Sequence, residues 1–280
     1  MRGTTKHSPG GEVLWLVSVG LILIVVFLPI YWMIVGSLRP NTELFRFPPS
    51  LWPQDFTFEV YGSILADFGF VRSLANTVLV AGLTTASALA IATSGAYGMS
   101  RYRFRGRKAL QYYILATQML PVVLLTLPFF VAYSGLGLYN TRLGLVIAYV
   151  SFTVPFCALT MLGFINGIPR SMDEAAWIDG AGPFRTFVVV IVPLSKAGIV
   201  GTGVFAFVNA WNEYLMAVVL TSSDRARMLV VWIGNKIGQY DILWNELLAA
   251  TVVASIPLIV LYGMVQKSFV RGVTAGAVKM

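Results

Sequence analysis

Between Glu12 and Arg39 the chain carries no charged residue. The run 13–36, VLWLVSVGLILIVVFLPIYWMIVG, is almost wholly apolar. A helix spanning the hydrocarbon core of a bilayer needs about 20 such residues. A soluble fold has little use for the segment, because a helix apolar all round has no face left for water. Comparable runs lie at roughly 73–99, 109–132, 143–165, 197–220 and 248–266, which makes six candidates. Charged residues form 11% of the chain, against about 25% in ordinary soluble domains. That is too little polar surface to coat a water-soluble globule of 280 residues. The expected fold is all-α: a polytopic membrane protein with six transmembrane helices.

The first run follows Arg2 and Lys6, as a secretory signal would. Its apolar length exceeds the ~7–15 residues of a signal core. The exit Ser37-Leu38-Arg39-Pro40 offers no small-residue cleavage site, so the span is expected to be retained. With the N-terminus inside, the inner segments hold the larger share of Lys and Arg, led by RYRFRGRK at 101–108. The positive-inside bias then puts both termini in the cytoplasm. The basic cluster reads as a topology determinant and a contact for lipid phosphates rather than for nucleic acid. The expected organisation is an N-terminal tail 1–12, a transmembrane domain 13–266 containing a loop at 166–196, and a C-terminal tail 267–280. Segment 37–70, with Pro40, Pro48, Pro49 and Pro53, reads as an ordered outer loop with little helical periodicity. Segment 221–247, polar but including Trp232, Ile233 and Trp244, suggests a short helix at the outer interface. Pro121 and Pro128 within one span predict a bent or broken helix.

Enzyme chemistry finds nothing to build on. The one cysteine, Cys157, lies in an apolar run and reads as a small packing residue. The one histidine, His7, lies in the polar tail, so the usual zinc-ligand sets cannot be assembled. The chain has no G-x-x-x-x-G-K-[ST] loop for nucleotide phosphates. No paired carboxylates or Ser-His-Asp set occur within the spans.

Two places carry polar groups where polar groups are costly. In the loop 166–196, Pro169 stops the preceding helix. Ser171-Met172-Asp173-Glu174 fits a capping box, with the Ser171 hydroxyl accepting from the N–H at 174. Gly180 or Gly182 can end that helix in a left-handed conformation, and Pro183 suits the first turn of the next. A helix of about two turns is unstable alone in water, so it is held by a partner surface, by the body of the chain itself, or by the bilayer interface. The second place is Glu213, about seven residues, or ~10 Å, inside its expected span. An ionised group at that depth faces water or a partner. Asn209 shares its helical face at a spacing of four, and Asn212 is adjacent. These residues either line a pathway for a polar substrate or form an interhelical hydrogen-bond network.

The stretch 174–193, EAAWIDGAGPFRTFVVVIVP, resembles the cytoplasmic EAA loop of permease subunits from bacterial ATP-binding-cassette (ABC) importers. That pattern is EAA, three residues, G, nine residues, then I-x-L-P. Here Glu174-Ala175-Ala176 is followed by Gly180 at the right spacing, and Pro193 closes the motif; Val190 and Val192 replace the usual Ile and Leu. SLRPNTELFRFPPSLWPQDFTFEVY at 37–61, AYGMSRYRFRGRKAL at 96–110, VPFCALTMLGFINGIP at 154–169 and WNEYL at 211–215 are similar to carbohydrate permeases of the maltose-transporter family. The ending FVRGVTAGAVKM at 269–280 is similar to that of its MalG-type subunits.

The resemblance implies a MetI-like ABC-importer permease fold in a bacterial inner (plasma) membrane. It implies a subunit forming half of a pathway for a sugar or oligosaccharide. Its implied partners are a MalF-like second permease, a dimer of ATPase subunits that bind ATP and magnesium, and an extracytoplasmic substrate-binding protein. The chain itself would hold no cofactor. Coupling to the ATPase would run through Glu174, Ala175, Ala176, Asp179, Gly180 and Pro193, and the tail near Gly276–Met280 would reach toward the ATPase pair. A permease for glycerol phosphate or another polyol is the nearest alternative. An ion-coupled secondary transporter is a more distant one.

Overall fold

The computed structural model describes residues 9–237 and 242–277, with side chains described for 12–237 and 242–266. His7 and residues 278–280 of the C-terminal tail lie outside the described residues. In chain order the helices are α1 (Pro9–Ser37), α2 (Asn41–Leu44), α3 (Glu59–Ala66), α4 (Phe68–Arg101), α5 (Arg107–Thr117), α6 (Val122–Gly135) and α7 (Arg142–Asn166). There follow α8 (Ser171–Ile178), α9 (Pro183–Thr186), a π-helical turn (Phe187–Ile191), α10 (Val192–Leu194), α11 (Lys196–Asn212), α12 (Leu215–Leu220), α13 (Leu229–Asn235) and α14 (Trp244–Ala277). No strand occurs among the described residues.

Four helices are individually long and apolar enough to cross a membrane: Glu12–Ser37, Phe68–Arg101, Arg142–Asn166 and Trp244–Gln266. Two bent pairs, α5 with α6 and the segment Pro183–Leu194 with α11, complete a set of six if each pair is one span. The first pair turns through 96°. Its break falls at residues 118–121, where Pro121 takes an extended backbone before α6, so one of the two prolines in that run is where the helix stops. Pro128 sits inside α6. The helix at the N-terminus begins at Pro9, within the expected tail, and α14 continues past 266 to Ala277.

The chain divides into two compact units. The first comprises Met1–Asp67 and Lys236–Ser255. Here α1 keeps nearly all its apolar side chains exposed from Val13 to Phe27, Val19 alone being half-buried. Such a continuous apolar surface is a liability in water and the expected state against lipid. Beyond α1 the chain is stapled down. Arg39 is buried, donates to the Ser50 carbonyl at 2.8 Å and lies over the Trp32 ring at 5.4 Å. Buried Glu43 accepts from the Ser50 hydroxyl at 3.1 Å and the Gln54 N–H at 3.0 Å, with Arg39 Nε 3.8 Å away. The peptide Phe47–Pro48 is cis. The expected ordered loop is therefore present, but it is not free of helix: α2 and α3 fall within 37–70, and α4 starts at Phe68 rather than near 73. The proline spacing hid them because both are short and neither shows an apolar stripe over more than two turns.

The second unit comprises Phe68–Asn235 and Ile256–Met280. Its core is built where α4 packs on α7 and α11. Ala88, Ala92 and Ala96 recur every four residues on α4 and are buried against Cys157, Ala158, Met161 and Ile165 of α7 and Ala206 of α11. Side chains this small let helices approach closely, which matters in lipid, where the hydrophobic effect does not drive helices together. Gly198 of α11 shows the limit: a Cβ there would stand 2.5 Å from the Phe164 ring. Trp232 of α13 is buried and meets Phe70 edge-on at 4.9 Å. The short helix expected at 221–247 is observed, but its tryptophan belongs to the core and not to an interfacial belt.

Candidate functional site

α7 ends at Asn166 with Gly167 as its C-cap, two residues ahead of Pro169, and α8 follows at Ser171. The expected capping box does not form. Ser171 is the first helical residue, the N-cap is Arg170 in a helical conformation, and no side chain caps the end. The Glu174 N–H donates to the Arg170 carbonyl at 3.1 Å instead. The chain enters α8 already coiled, which leaves no extended residue to place a capping hydroxyl.

The C-terminus of α8 follows the expected chemistry. Gly180 adopts φ +79°. Its N–H donates to the Trp177 carbonyl at 3.0 Å, and the Ala181 N–H donates to the Ala176 carbonyl at 2.9 Å. This is a Schellman closure, which places a left-handed residue just past the helix. Pro183 then opens α9. Next comes the π turn Phe187–Ile191, and Pro193 lies just beyond it in α10. Proline has no N–H and its ring crowds the carbonyl four residues back. A wider turn at that point relieves the crowding, and such turns recur at functional sites.

α8 has two distinct faces. Asp173 and Ala176, three residues apart, are buried. Glu174, Ala175, Asp179 and Gly180 are exposed. Ile178 is 87% exposed, Trp177 49% and Phe184 of α9 79%. The inner face is held by charge: Arg101 Nε at the end of α4 stands 2.9 Å from an Asp173 carboxylate oxygen, with both side chains nearly sealed from solvent. The contact is ionic, since Arg101 Nε and both Asp173 oxygens lack an aligned hydrogen-bond partner. The rest of the Arg101 guanidinium donates to the Ile165 and Ile168 carbonyls at 3.3 and 3.0 Å. Arg170 donates to the Ser100 carbonyl at 3.1 Å, and the Ser100 hydroxyl to Asn166 at 2.7 Å. Arg101 is thus no lipid-phosphate contact. It is the strap that fastens α8 to the ends of α4 and α7, while Arg103, Arg105 and Lys108 remain exposed. The sequence reading missed this pairing.

A second feature lies midway along α7. The span expected at 197–220 is interrupted: α11 ends at Asn212, Glu213 is extended (φ −70°, ψ 109°), and α12 starts at Leu215. Glu213 is therefore not on a common helical face with Asn209. Its carboxylate accepts from the Met216 N–H at 3.0 Å, and the Tyr149 hydroxyl donates to its carbonyl at 3.1 Å. Backbone groups freed inside a membrane need such partners. Glu213 and Asn209 nevertheless border one cavity of about 190 Å³, together with Gln118 from the α5–α6 break, Thr153, Phe156 and Phe205. Phe156 and Phe205 are stacked with centroids 3.7 Å apart. Asn212 does not line the cavity; its amide donates to Val208 of its own helix. Gln118 escaped the sequence reading because a glutamine in a run of helix-favouring residues gives no signal until the break beside it is known.

Comparisons with known proteins agree with this architecture. Residues 86–275 match the family described as "Binding-protein-dependent transport system inner membrane component". The trehalose/maltose transport system permease protein MalG of Thermococcus litoralis is 33% identical over 271 residues, covering 96% of this chain and 97% of that protein. The sulfoquinovosyl glycerol transport system permease protein SmoH of Agrobacterium fabrum is 32% identical over 282 residues, covering 99% of each. A chain in the crystal structure of a bacterial ABC transporter that imports the acidic polysaccharide alginate superposes with a TM-score of 0.83 at 26% identity, covering 95% of this chain and all of that one.

Proposed function

The chain belongs to the family of binding-protein-dependent transport system inner membrane components, and from that premise we propose that it forms half of the membrane pathway of an ABC importer for saccharides. It is a transport subunit and not an enzyme; ATP hydrolysis belongs to a partner. The proposed assembly contains a MalF-like second permease, an ATPase dimer on the cytoplasmic side and an extracytoplasmic binding protein. Both termini lie in the cytoplasm in this reading, as the distribution of Lys and Arg favours.

One observation carries the reading: α8 is strapped to the membrane body on one face and offers exposed Glu174, Ala175, Trp177 and Ile178 on the other. An apolar patch on a helix too short to stand alone marks a surface that another protein covers. The exposed coupling residues are then Glu174, Ala175, Asp179 and Gly180, while Ala176, on the buried face, seats the helix on the body and Pro193 shapes the lever behind them. ATP binding can drive the permease only to the extent that it favours one state over the other. A helix held rigidly by Arg101 and Arg170 passes the ATPase movement to α4 and α7 instead of absorbing it. Asn209 and Glu213 border the proposed pathway; Asn212 does so only if another state turns it inward.

The test is ATP-driven saccharide uptake into vesicles with ion gradients collapsed. Glu174→Lys and Gly180→Asp are expected to abolish uptake and its coupling to ATP hydrolysis while the chain still inserts. Normal uptake by both variants would refute the coupling assignment. The similar transporters are named for neutral and for acidic saccharides alike, so membership of the family leaves the charge of the cargo open.

A further inference from the structure

We propose that the cavity between Gln118 and Glu213 is a subsite for one uncharged sugar ring, so that this chain contacts the cargo itself; the inference rests on the saccharide-importer reading. Irregular backbone at membrane depth persists where it is buried in protein or lines a watery cavity. Both interrupted segments, 118–121 between α5 and α6 and 213–214 between α11 and α12, open on this same cavity. Two separate breaks meeting at one space mark a place built for something polar.

Size limits the occupant. At about 190 Å³ the cavity is smaller than the roughly 300–1,000 Å³ that enclose drug-sized ligands. It takes a single ring, and the rest of any oligosaccharide lies beyond this chain. The lining suits a pyranose. Phe152, Phe156 and Phe205 form an apolar wall, and the electron-rich face of an aromatic ring attracts the slightly positive C–H face of a sugar. The polar part of the lining offers groups with hydrogen-bonding capacity to spare. The Gln118 side chain makes no hydrogen bond among the described residues, its backbone N–H donating to the Leu115 carbonyl at 3.1 Å, and of the Glu213 carboxylate only Oε1 is engaged. The Asn209 amide N–H donates to the Phe205 carbonyl at 2.9 Å, which leaves its oxygen to accept a hydroxyl.

Charge decides the class. The lining contains one carboxylate, Glu213, and no Lys or Arg. A uronate, sulfonate or phosphate would meet a like charge with no cation in this chain's lining to offset it, in surroundings that screen poorly. Neutral hydroxyls meet two amides and a carboxylate, all of which they can bond.

The experiment uses the complete complex with its binding protein, ATPase and second permease in proteoliposomes. Uptake is screened with labelled neutral disaccharides and with uronate disaccharides of matching size. The complex is then trapped with a non-hydrolysable ATP analogue, and the sugar it retains is counted. Neutral sugar is expected to be taken up and retained, and uronate not. Gln118→Ala and Phe156→Leu should each lower retention about tenfold, the size of one good interaction lost. Glu213→Gln should raise retention of the uronate by a similar factor. Ser151→Ala, on α7 outside the cavity, is the control for handling losses. Uptake with unchanged retention in both Gln118→Ala and Phe156→Leu would overturn the subsite while leaving the importer reading intact. Preferred uptake of the uronate would also overturn it. Absence of any ATP-driven saccharide uptake by the unmodified complex would overturn the importer reading and the subsite with it.

Discussion

Arg101 and Asp173 face each other across 2.9 Å, the first ending α4 and the second on the inner face of α8. The pair is nearly sealed from solvent, and its carboxylate has no aligned hydrogen bond. Removing one member of such a pair strands the other, typically at a cost of about 3–5 kcal/mol, whereas exchanging both for apolar residues is often tolerated. Asp173→Leu and Arg101→Met should each lower the thermal unfolding midpoint in detergent markedly, and the double variant should lose less than the two losses summed. Strict additivity would show that the pair contributes nothing as a pair.

Gly180 tests the geometry of the loop apart from its charges. Its φ of +79° lies in the left-handed region, and a Cβ there would meet nothing within 4 Å. Any penalty is therefore of the backbone alone, about 1–2 kcal/mol for most side chains. Gly180→Asn should be better tolerated than Gly180→Val, because asparagine visits this region more readily. Limited proteolysis at 177–183 reads the difference; equal cleavage of the two variants would contradict it.

Gly198 tests the opposite case, in which space and not φ is limiting. Its missing Cβ would overlap the Phe164 ring at 2.5 Å. Gly198→Ala should destabilise the packing of α11 on α7 by about 1–3 kcal/mol, the usual range for overpacking. Phe164→Leu introduced in the same chain should recover part of the loss. Thermal melts of the single and double variants supply the comparison.

Glu43 gives the first unit a pH dependence. Its carboxyl titrates below the ordinary 4.5, chiefly because the Gln54 N–H donates to it; burial opposes this, and the Asp55 N–H, the Ser50 hydroxyl and the Arg39 charge add to the lowering. A depressed folded value stabilises the native loop above 4.5 and loses that stabilisation as pH falls through the folded value. Amide exchange at Gln54 and Asp55, corrected for intrinsic rates, should keep its protection at neutral pH and lose it below 4.5. Glu43→Gln should already be weakly protected at neutral pH and change little on acidification.

The spans were legible because lipid imposes a length and an apolar composition that a simple count detects. The end of α8 was legible down to two candidates, because glycine adopts the left-handed region most readily and the stretch offers Gly180 and Gly182; the structure takes Gly180, at φ +79°. The strap was not, since a tally of positive charge treats Arg101 as equivalent to Arg103, and only folding reveals which of them meets Asp173. The break at Glu213 was hidden for a similar reason. WNEYL contains neither proline nor glycine, so nothing local interrupts the helix. The break is held by one tertiary partner, the Tyr149 hydroxyl on its carbonyl, and by one local bond, its own carboxylate on the Met216 N–H three residues on.

The central claim is that the outer face of α8 is gripped by an ATPase. A photo-reactive residue at position 178, where Ile178 is 87% exposed, measures this directly in the assembled complex. The expected product is a covalent adduct with the ATPase subunit that weakens in Glu174→Lys. Adducts with lipid alone, at full yield and with uptake intact, would contradict it.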